Sequence, residues 1–503
     1  MTEITIAWIA LPFFIGFVIY LLPQWGRWLA LAVALVSAVY ALTIFLQSAL
    51  LNIQLLDNFG VSLIVDRLSG FFILTNALVV AAVVIYCWQT SKTAFFYMQA
   101  IILHGSVNAA FISADFISLY VALEVISIGT FLLIAYPRSD RSIWVGLRYL
   151  FVSNTAMLFY LVGALLVYKA NNSFYYGGLS NSPPEAVALI FLGLLAKGGI
   201  FVSGLWLPLT HSESLSPVSA MMSGVVVKAG VFPMVRCALL LEELDPVVRF
   251  FGVCTALLGV GYAVFEKDTK RMLAFHTISQ LGFVLAAPVV AGFYALTHGL
   301  VKSALFLIAG ILPSRNFAEL RDRGIDTKIW LASAIASFSI SGFPLLSGFG
   351  AKVLTSKNLL PWQVIAMNVA TVGTVITFAK FIFLPHSTRD RHHDDLAVDG
   401  ETGRHGDTKK KIQPGFWGAI IILLGGLVGA NLVYYEAYTL TNIIKPLVTI
   451  VIGWVAYLFI FKKLVLKLPR AIEKLDHLIG IMSLMLILVF WMIKIRANVQ
   501  IYF

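Results

Sequence analysis

Apolar runs of about 18–25 residues, each long enough to cross the ~30 Å hydrocarbon core of a bilayer, recur along the whole chain. Nothing else in the sequence narrows the fold as much. Hydrocarbon offers no hydrogen-bond partner to a peptide group, so such runs must cross as helices. Spans are expected near 4–22, 28–48, 70–88, 95–112, 115–135, 146–168, 186–207, 217–241, 247–265, 271–289, 291–312, 329–357, 363–385, 415–434, 443–461 and 477–495. The expected fold class is an all-α polytopic membrane protein of about 14–16 transmembrane helices. With 59% hydrophobic and 12% charged residues, the chain lies outside the soluble range. Glu3 and the missing basic stretch argue against a cleavable signal.

Other classes find no footing. Cys87, Cys237 and Cys254 lie in separate apolar runs, and no CxxC or Cys/His cluster points to a metal centre. No GxGxxG or P-loop pattern suggests a nucleotide, so no cofactor is expected. The net charge of +11 sits in short loops, which speaks for topology and against nucleic acid.

Alternate loops differ in basic load. One set carries Arg27, Lys92, Arg138, Arg141, Lys267, Lys270, Arg271, Arg315, Arg321, Arg323, Lys328, the basic residues of 389–411, and Lys462, Lys463, Lys467, Arg470 and Lys474. The other holds little beyond Arg67, Lys169, Arg249, Lys357 and Lys445. The first set is expected to be cytoplasmic. The longest loop, 386–414, contains His386, His392, His393, Asp394, Asp395, His405 and Asp407. These are metal-ligand types without fixed ligand spacing, and a plain solvated loop fits them better. The connector Lys462–Leu478 is basic and partly amphipathic, which suits a membrane-surface segment, a partner contact or a plain link.

Charges inside the runs carry the functional signal. Lys197, Lys228 and Lys302 each lie about eleven residues into a span and Glu124 about nine, roughly 14–17 Å deep. Lys352 lies in a run broken by Gly342, Pro344, Gly348 and Gly350. Each buried lysine costs roughly 2.5–3.5 kcal/mol on insertion scales, so an interior must pair or hydrate it. One glutamate cannot neutralise four lysines, so a static ion pair does not explain the set. A row in the membrane plane that passes protons does. The runs 186–207 and 329–357 are both interrupted by Gly and Pro and both carry a lysine, as in a repeated unit with its site at broken helices. His298 lies one turn from Lys302, where bridging the row and a satisfied interior histidine are both open. His211, Glu213 and His276 are candidates for proton uptake, or for local capping and interhelical bonds. Asp66 and Asp115 are read as helix caps and His104 as structural.

Five stretches then resemble one family: LEVISIGTFLL around Glu124, LLAKGGIFVSGLWLPLTHSESLSPVSAMMSGVVVKAG, DTKRMLAFHTISQLGFVL, THGLVKSALFLIAG and SGFPLLSGFGAK. They resemble the proton-conducting membrane transporter family, the antiporter-like subunits of respiratory complex I and of Mrp-type sodium/proton antiporters. The resemblance implies two inverted five-helix repeats, each with one broken helix. It places an ion pair on Glu124 and Lys197, a relay on Lys228 and His298, and a distal gate on Lys352. Lys352 stands where complex I M-type subunits carry glutamate; a lysine there resembles the Mrp D subunit and the longer L-type subunit, and at 503 residues the chain is most similar to the D subunit. The implied organisation is 1–94 N-terminal helices, 95–245 first repeat, 246–385 second repeat, 386–414 polar loop and 415–503 C-terminal helices. The implied partners are other subunits of a membrane assembly, the lipid bilayer, protons and Na+. An energy-coupled complex I-type or hydrogenase-type subunit and a non-conducting scaffold are the competing readings.

Overall fold

The computed structural model describes residues 1–47, 50–56, 60–387, 412–434, 437–464, 466 and 468–500. His392, His393, Asp394, Asp395, His405 and Asp407 of the long loop lie outside the described residues, as does Lys467. The helices are α1 (Thr2–Leu21), α2 (Gly26–Gln47), α3 (Arg67–Tyr86), α4 (Ala94–Ile112), α5 (Phe116–Ile134), α6 (Asp140–Asn171), α7 (Pro184–Gly198), α8 (Leu207–Glu213), α9 (Ser216–Met221) and α10 (Lys228–Leu240). They continue with α11 (Asp245–Phe265), α12 (Thr269–Ala286), α13 (Ala291–Ala309), α14 (Phe317–Arg323), α15 (Thr327–Ser341), α16 (Ser347–Lys357), α17 (Val364–Ile382), α18 (Pro414–Val433), α19 (Leu440–Ala456) and α20 (Leu475–Gln500). Among the described residues, fourteen helical stretches are long and apolar enough to cross a membrane. The other two expected runs are α12, which carries many polar residues, and the broken pair α15–α16.

Burial grades from edge to centre. The faces of α1, α2, α19 and α20 are largely exposed, as lipid-facing apolar helices are. Every residue of α12 and α13 is buried, so the polar residues on these two helices face protein on all sides. Close crossings explain several glycines at the centre. A Cβ on Gly259 would sit 2.3 Å from the Ser279 nitrogen, and one on Gly282 would sit 2.4 Å from the Ala256 nitrogen, so α11 and α12 touch backbone to backbone.

Asp66 and Asp115 do cap helices. Their carboxylates accept from the Ser69 and Ser118 N–H groups at the starts of α3 and α5. Asp115 also accepts from the Ser62 N–H at 2.8 Å, tying α5 to an antiparallel hairpin of β1 (Leu51–Leu56) and β2 (Gly60–Val65). This hairpin falls between two apolar runs, where hydropathy alone marks no element. Gly60, at φ 122°, opens the returning strand, and Ile53, Leu63, Ile64 and Val65 turn inward. A short parallel pair, β3 (Ile325–Asp326) with β4 (His386–Ser387), joins the start of α15 to the end of α17 on the side of the basic loops.

The connector before α20 docks on the protein. Its short helix Ala471–Glu473 buries Glu473, which accepts from Arg271 at 2.6 Å on α12, while its backbone carbonyl accepts from Arg148 on α6. Glu266, just past α11, accepts from Arg271 at 3.1 Å and pairs with Arg470 at 3.4 Å. Burial alone would raise the Glu266 carboxyl. Arg271, with the backbone N–H groups of Asp268 and Lys267, outweighs burial and holds it below its ordinary value. From this anchor α20 runs over α7 and the broken segment that follows it.

Candidate functional site

Two helices break at membrane depth, and both breaks use the same devices. α7 ends at Gly198, and Gly199 caps it in the left-handed region at φ 67°. Phe201 follows at φ 51°, then a 3-10 turn, Phe201–Trp206, leads into α8. α15 ends at Ser341, Gly342 caps it at φ 85°, and Leu345 follows at φ 77° before α16. Positive φ on bulky residues is uncommon and strained, so both breaks are held by what surrounds them.

Lys197 occupies the last turn of α7 and is buried. Its Nζ donates to the Ser127 hydroxyl of α5 and, at 2.9 Å, to the Ser153 hydroxyl of α6, with the Tyr149 ring 5.8 Å away. Glu124 lies one turn before Ser127 and is half-buried. Among the described residues Glu124 and Lys197 make no ion pair within 4 Å, and the hydroxyls stand where the carboxylate was expected. Serines inside a helix return their hydroxyls to the preceding turn, which hides them from a search for charges; Ser127 Oγ does so to Leu123 at 2.9 Å.

α10 crosses α7 at Gly230, where a Cβ would lie 2.3 Å from the Gly198 nitrogen. Lys197 and Lys228 flank this crossing from the two helices. Between α9 and α10 the chain makes a π turn, Met222–Val226, in which Val227 N–H donates to Met222 O. That shift frees the Ser223 carbonyl, and Lys228 Nζ donates to it at 3.1 Å and to the Gly224 carbonyl. α13 meets the same spot, since a Cβ on Gly299 would lie 3.5 Å from Lys228 Nζ. His298 is therefore brought beside Lys228.

Lys302, one turn beyond His298, donates to the Leu273 carbonyl at 2.6 Å and lies between two rings, Phe306 at 5.7 Å and Phe378 at 5.8 Å. His211 stacks on Phe306 at 4.6 Å, and His276 meets Phe378 edge-on at 4.5 Å. All three histidines, His211, His276 and His298, are buried with neither ring nitrogen bonded to protein. Buried polar atoms are otherwise nearly always satisfied, so these six nitrogens stand out. Glu213 lies at the rim on the basic-loop side, 3.4 Å from Arg141.

Lys352 lies just past the second break. Its Nζ donates to the Ser341 carbonyl at 3.4 Å, with the Phe283 ring at 5.7 Å. A cavity of ≈ 10 Å³, about what one water needs, is lined by Lys352, His298, Gln280, Tyr294 and Thr297. It joins the distal lysine to the central histidine. Around the break the hydroxyls of Ser333, Ser337, Ser339, Ser341 and Ser347 are buried without a protein partner. The sequence reading missed them, although SAIASFSIS, residues 333–341, offers serines four apart on one face. It also missed Lys380, which is buried but has a structural partner set: it donates to the Ala263 and Glu266 carbonyls at 3.1 and 2.7 Å, closing the end of α11. His104, read from sequence as structural, bonds Ser37 through Nε2 at 2.8 Å.

Residues 113–377 match the family described as NADH:quinone oxidoreductase/Mrp antiporter, TM. The chain belongs to this family. It is 27% identical over 380 residues to the D-type Na(+)/H(+) antiporter subunit of Alkalihalophilus pseudofirmus, covering 69% of this chain and 77% of that protein. It is 26% identical over 429 residues to NAD(P)H-quinone oxidoreductase chain 4 2 of Microcystis aeruginosa, covering 73% and 76%. A chain of the membrane-bound sulfane sulfur reductase, an archaeal respiratory membrane complex, superposes with a TM-score of 0.73 at 21% identity over 90% of this chain and 99% of that one. This family member thus resembles subunits of antiporters and of respiratory complexes alike.

Proposed function

We propose that this chain is a proton-translocating subunit of a multisubunit monovalent cation/proton antiporter, with Na+ as the cation, and that protons move along Lys197, Lys228, His298, Lys302 and Lys352. The observation that carries the reading is the continuity of buried groups. Lys197, Lys228 and Lys302 are buried and Lys352 is partly buried, each costing roughly 2.5–3.5 kcal/mol in lipid, and His298, buried without a protein partner, links the central pair to the cavity at Lys352. His211, Glu213 and His276 lead to Lys302 from the basic-loop side, which is taken as cytoplasmic. Glu124 acts on Lys197 through space across the Ser127 turn. The repeats 95–245 and 246–385 each contribute one break. The likeness to a D-type antiporter chain supports Na+.

The test is Na+-driven proton movement in everted vesicles containing the assembled complex. Lys302→Ala should abolish exchange while the complex still assembles. Unchanged exchange by an assembled variant would remove the row from transport. The likeness to an oxidoreductase chain favours a second reading, a pumping subunit of a complex I-type machine. Copurification of iron–sulfur subunits with the gently solubilised, tagged chain would decide for that reading.

A further inference from the structure

α15 and α18 both pack against α13 and leave a groove of ≈ 720 Å³ between them. One wall runs from Lys328 through Leu331, Ala332 and Ile335 to Ser339, the other from Trp417 through Ile421 and Leu424 to Val428. Each wall is about 16 Å long from its helical rise, which is half of a ~30 Å hydrocarbon core. The groove ends at the second break, on Leu345, Leu346 and Ser347. We infer that it holds one acyl chain of an anionic phospholipid from the leaflet on the basic-loop side, with the phosphate on Lys328.

Depth selects the occupant. A transmembrane helix needs the whole core thickness, whereas this groove stops at mid-membrane, as one lipid tail does. Charge selects the headgroup. Lys328 is exposed and has no ion pair among the described residues. The neighbouring Asp326 carboxylate is turned onto its own helix start, accepting from the Lys328 and Ile329 N–H groups at 2.8 and 3.4 Å. Trp417 at the same mouth is the residue type that settles at headgroup level. At the deep end the Ser339 and Ser347 hydroxyls are buried, lack a protein partner and line the groove. A hydrocarbon tail there closes the break on its membrane side and keeps water at these hydroxyls from meeting the bilayer.

The experiment uses the assembled complex in nanodiscs with phosphatidylglycerol carrying a photoreactive group at the end of one acyl chain. A zwitterionic phosphatidylcholine with the same tail is the counter-probe. Peptide mapping should place phosphatidylglycerol label on 335–347 and 421–428, several-fold above the counter-probe. Lys328→Glu should erase that preference. Gly425→Trp should lower labelling by both lipids, because no protein atom lies within 4 Å of a Cβ there and the ring fills the groove. Equal labelling by the two probes in the unaltered protein overturns the headgroup assignment. Label spread evenly over exposed apolar faces such as Phe14 and Phe17 of α1, or a partner helix cross-linked in the groove, overturns the site.

Discussion

The two broken helices share a backbone and differ in how they hold their lysine. Each has a glycine cap with positive φ, a bulky residue with positive φ, and a later glycine pressed against the first half. Lys197 comes before its break and gives its protons to side-chain hydroxyls on two other helices, under the cover of α20. Lys352 comes after its break and reaches a carbonyl of its own broken helix, beside a water-sized cavity and unpartnered serines. Lys197 at the first break is tied to neighbouring helices, while the second break adjoins a water-sized cavity and a groove. One backbone device thus holds a lysine in two different settings.

The largest expected effect tests the shared backbone. Gly204→Ala would put a Cβ 2.1 Å from the Gly199 carbonyl oxygen, and Gly348→Ala would put one 1.8 Å from that of Ser339. Both contacts are with backbone, so each variant should lose more than about 4 kcal/mol and fail to assemble. Assembly is read by gel filtration of the tagged complex, with Gly425→Ala, which meets open space, as the control.

Next come the lysines themselves. Lys197→Ala and Lys352→Ala should each lower exchange by about 100-fold or more, the scale of a positioned proton-transfer group. Substitution by glutamate separates the two. Lys352→Glu should keep part of the activity, since a carboxylate also titrates, and Lys352→Arg should not, because arginine stays charged. Lys197→Glu should be inactive, because Glu124 lies on the adjoining turn and two carboxylates repel. Equal behaviour of the two glutamate variants in vesicle exchange would erase the distinction.

A smaller effect tests side-chain against backbone support. The double variant Ser127→Ala with Ser153→Ala strips both acceptors from Lys197 and should cost about 1–3 kcal/mol, seen as a lower Tm and slower exchange. Ser341→Ala leaves the carbonyl that Lys352 uses in place and should change little. The smallest effect is expected at the rim. Arg141→Ala removes an exposed pair with Glu213 and should stay within about 1 kcal/mol in thermal denaturation of the complex.

Charge and hydropathy are local properties, which is why the apolar runs and the lysines could be read from the chain. The hydroxyls around Lys197 could not, because a serine in an apolar helix is the same letter whether it bonds its own turn or a lysine on another helix. Lys380 shows the converse: it is buried like the others, yet it closes a helix end, and only its two carbonyl partners reveal this. The Glu124–Lys197 pair came from resemblance; the two lie close enough to act on each other's charge, while serine hydroxyls take the lysine's hydrogen bonds. From sequence the connector Lys462–Leu478 reads as a membrane-surface segment, a partner contact or a plain link; the structure instead docks it on its own chain through Glu473, whose partners Arg271 and Arg148 lie about 200 and 325 positions away.

By itself the sequence determined that the chain crosses a membrane as some sixteen helical runs, that two of them break, and that four lysines lie deep within them, because insertion energy and backbone geometry depend on short stretches of residues. Tertiary structure decided which lysines neighbour which histidines, which hydrogen-bond partners each lysine has, and where a cavity and a groove remain, because these follow from helix crossings set by glycines far apart in the chain.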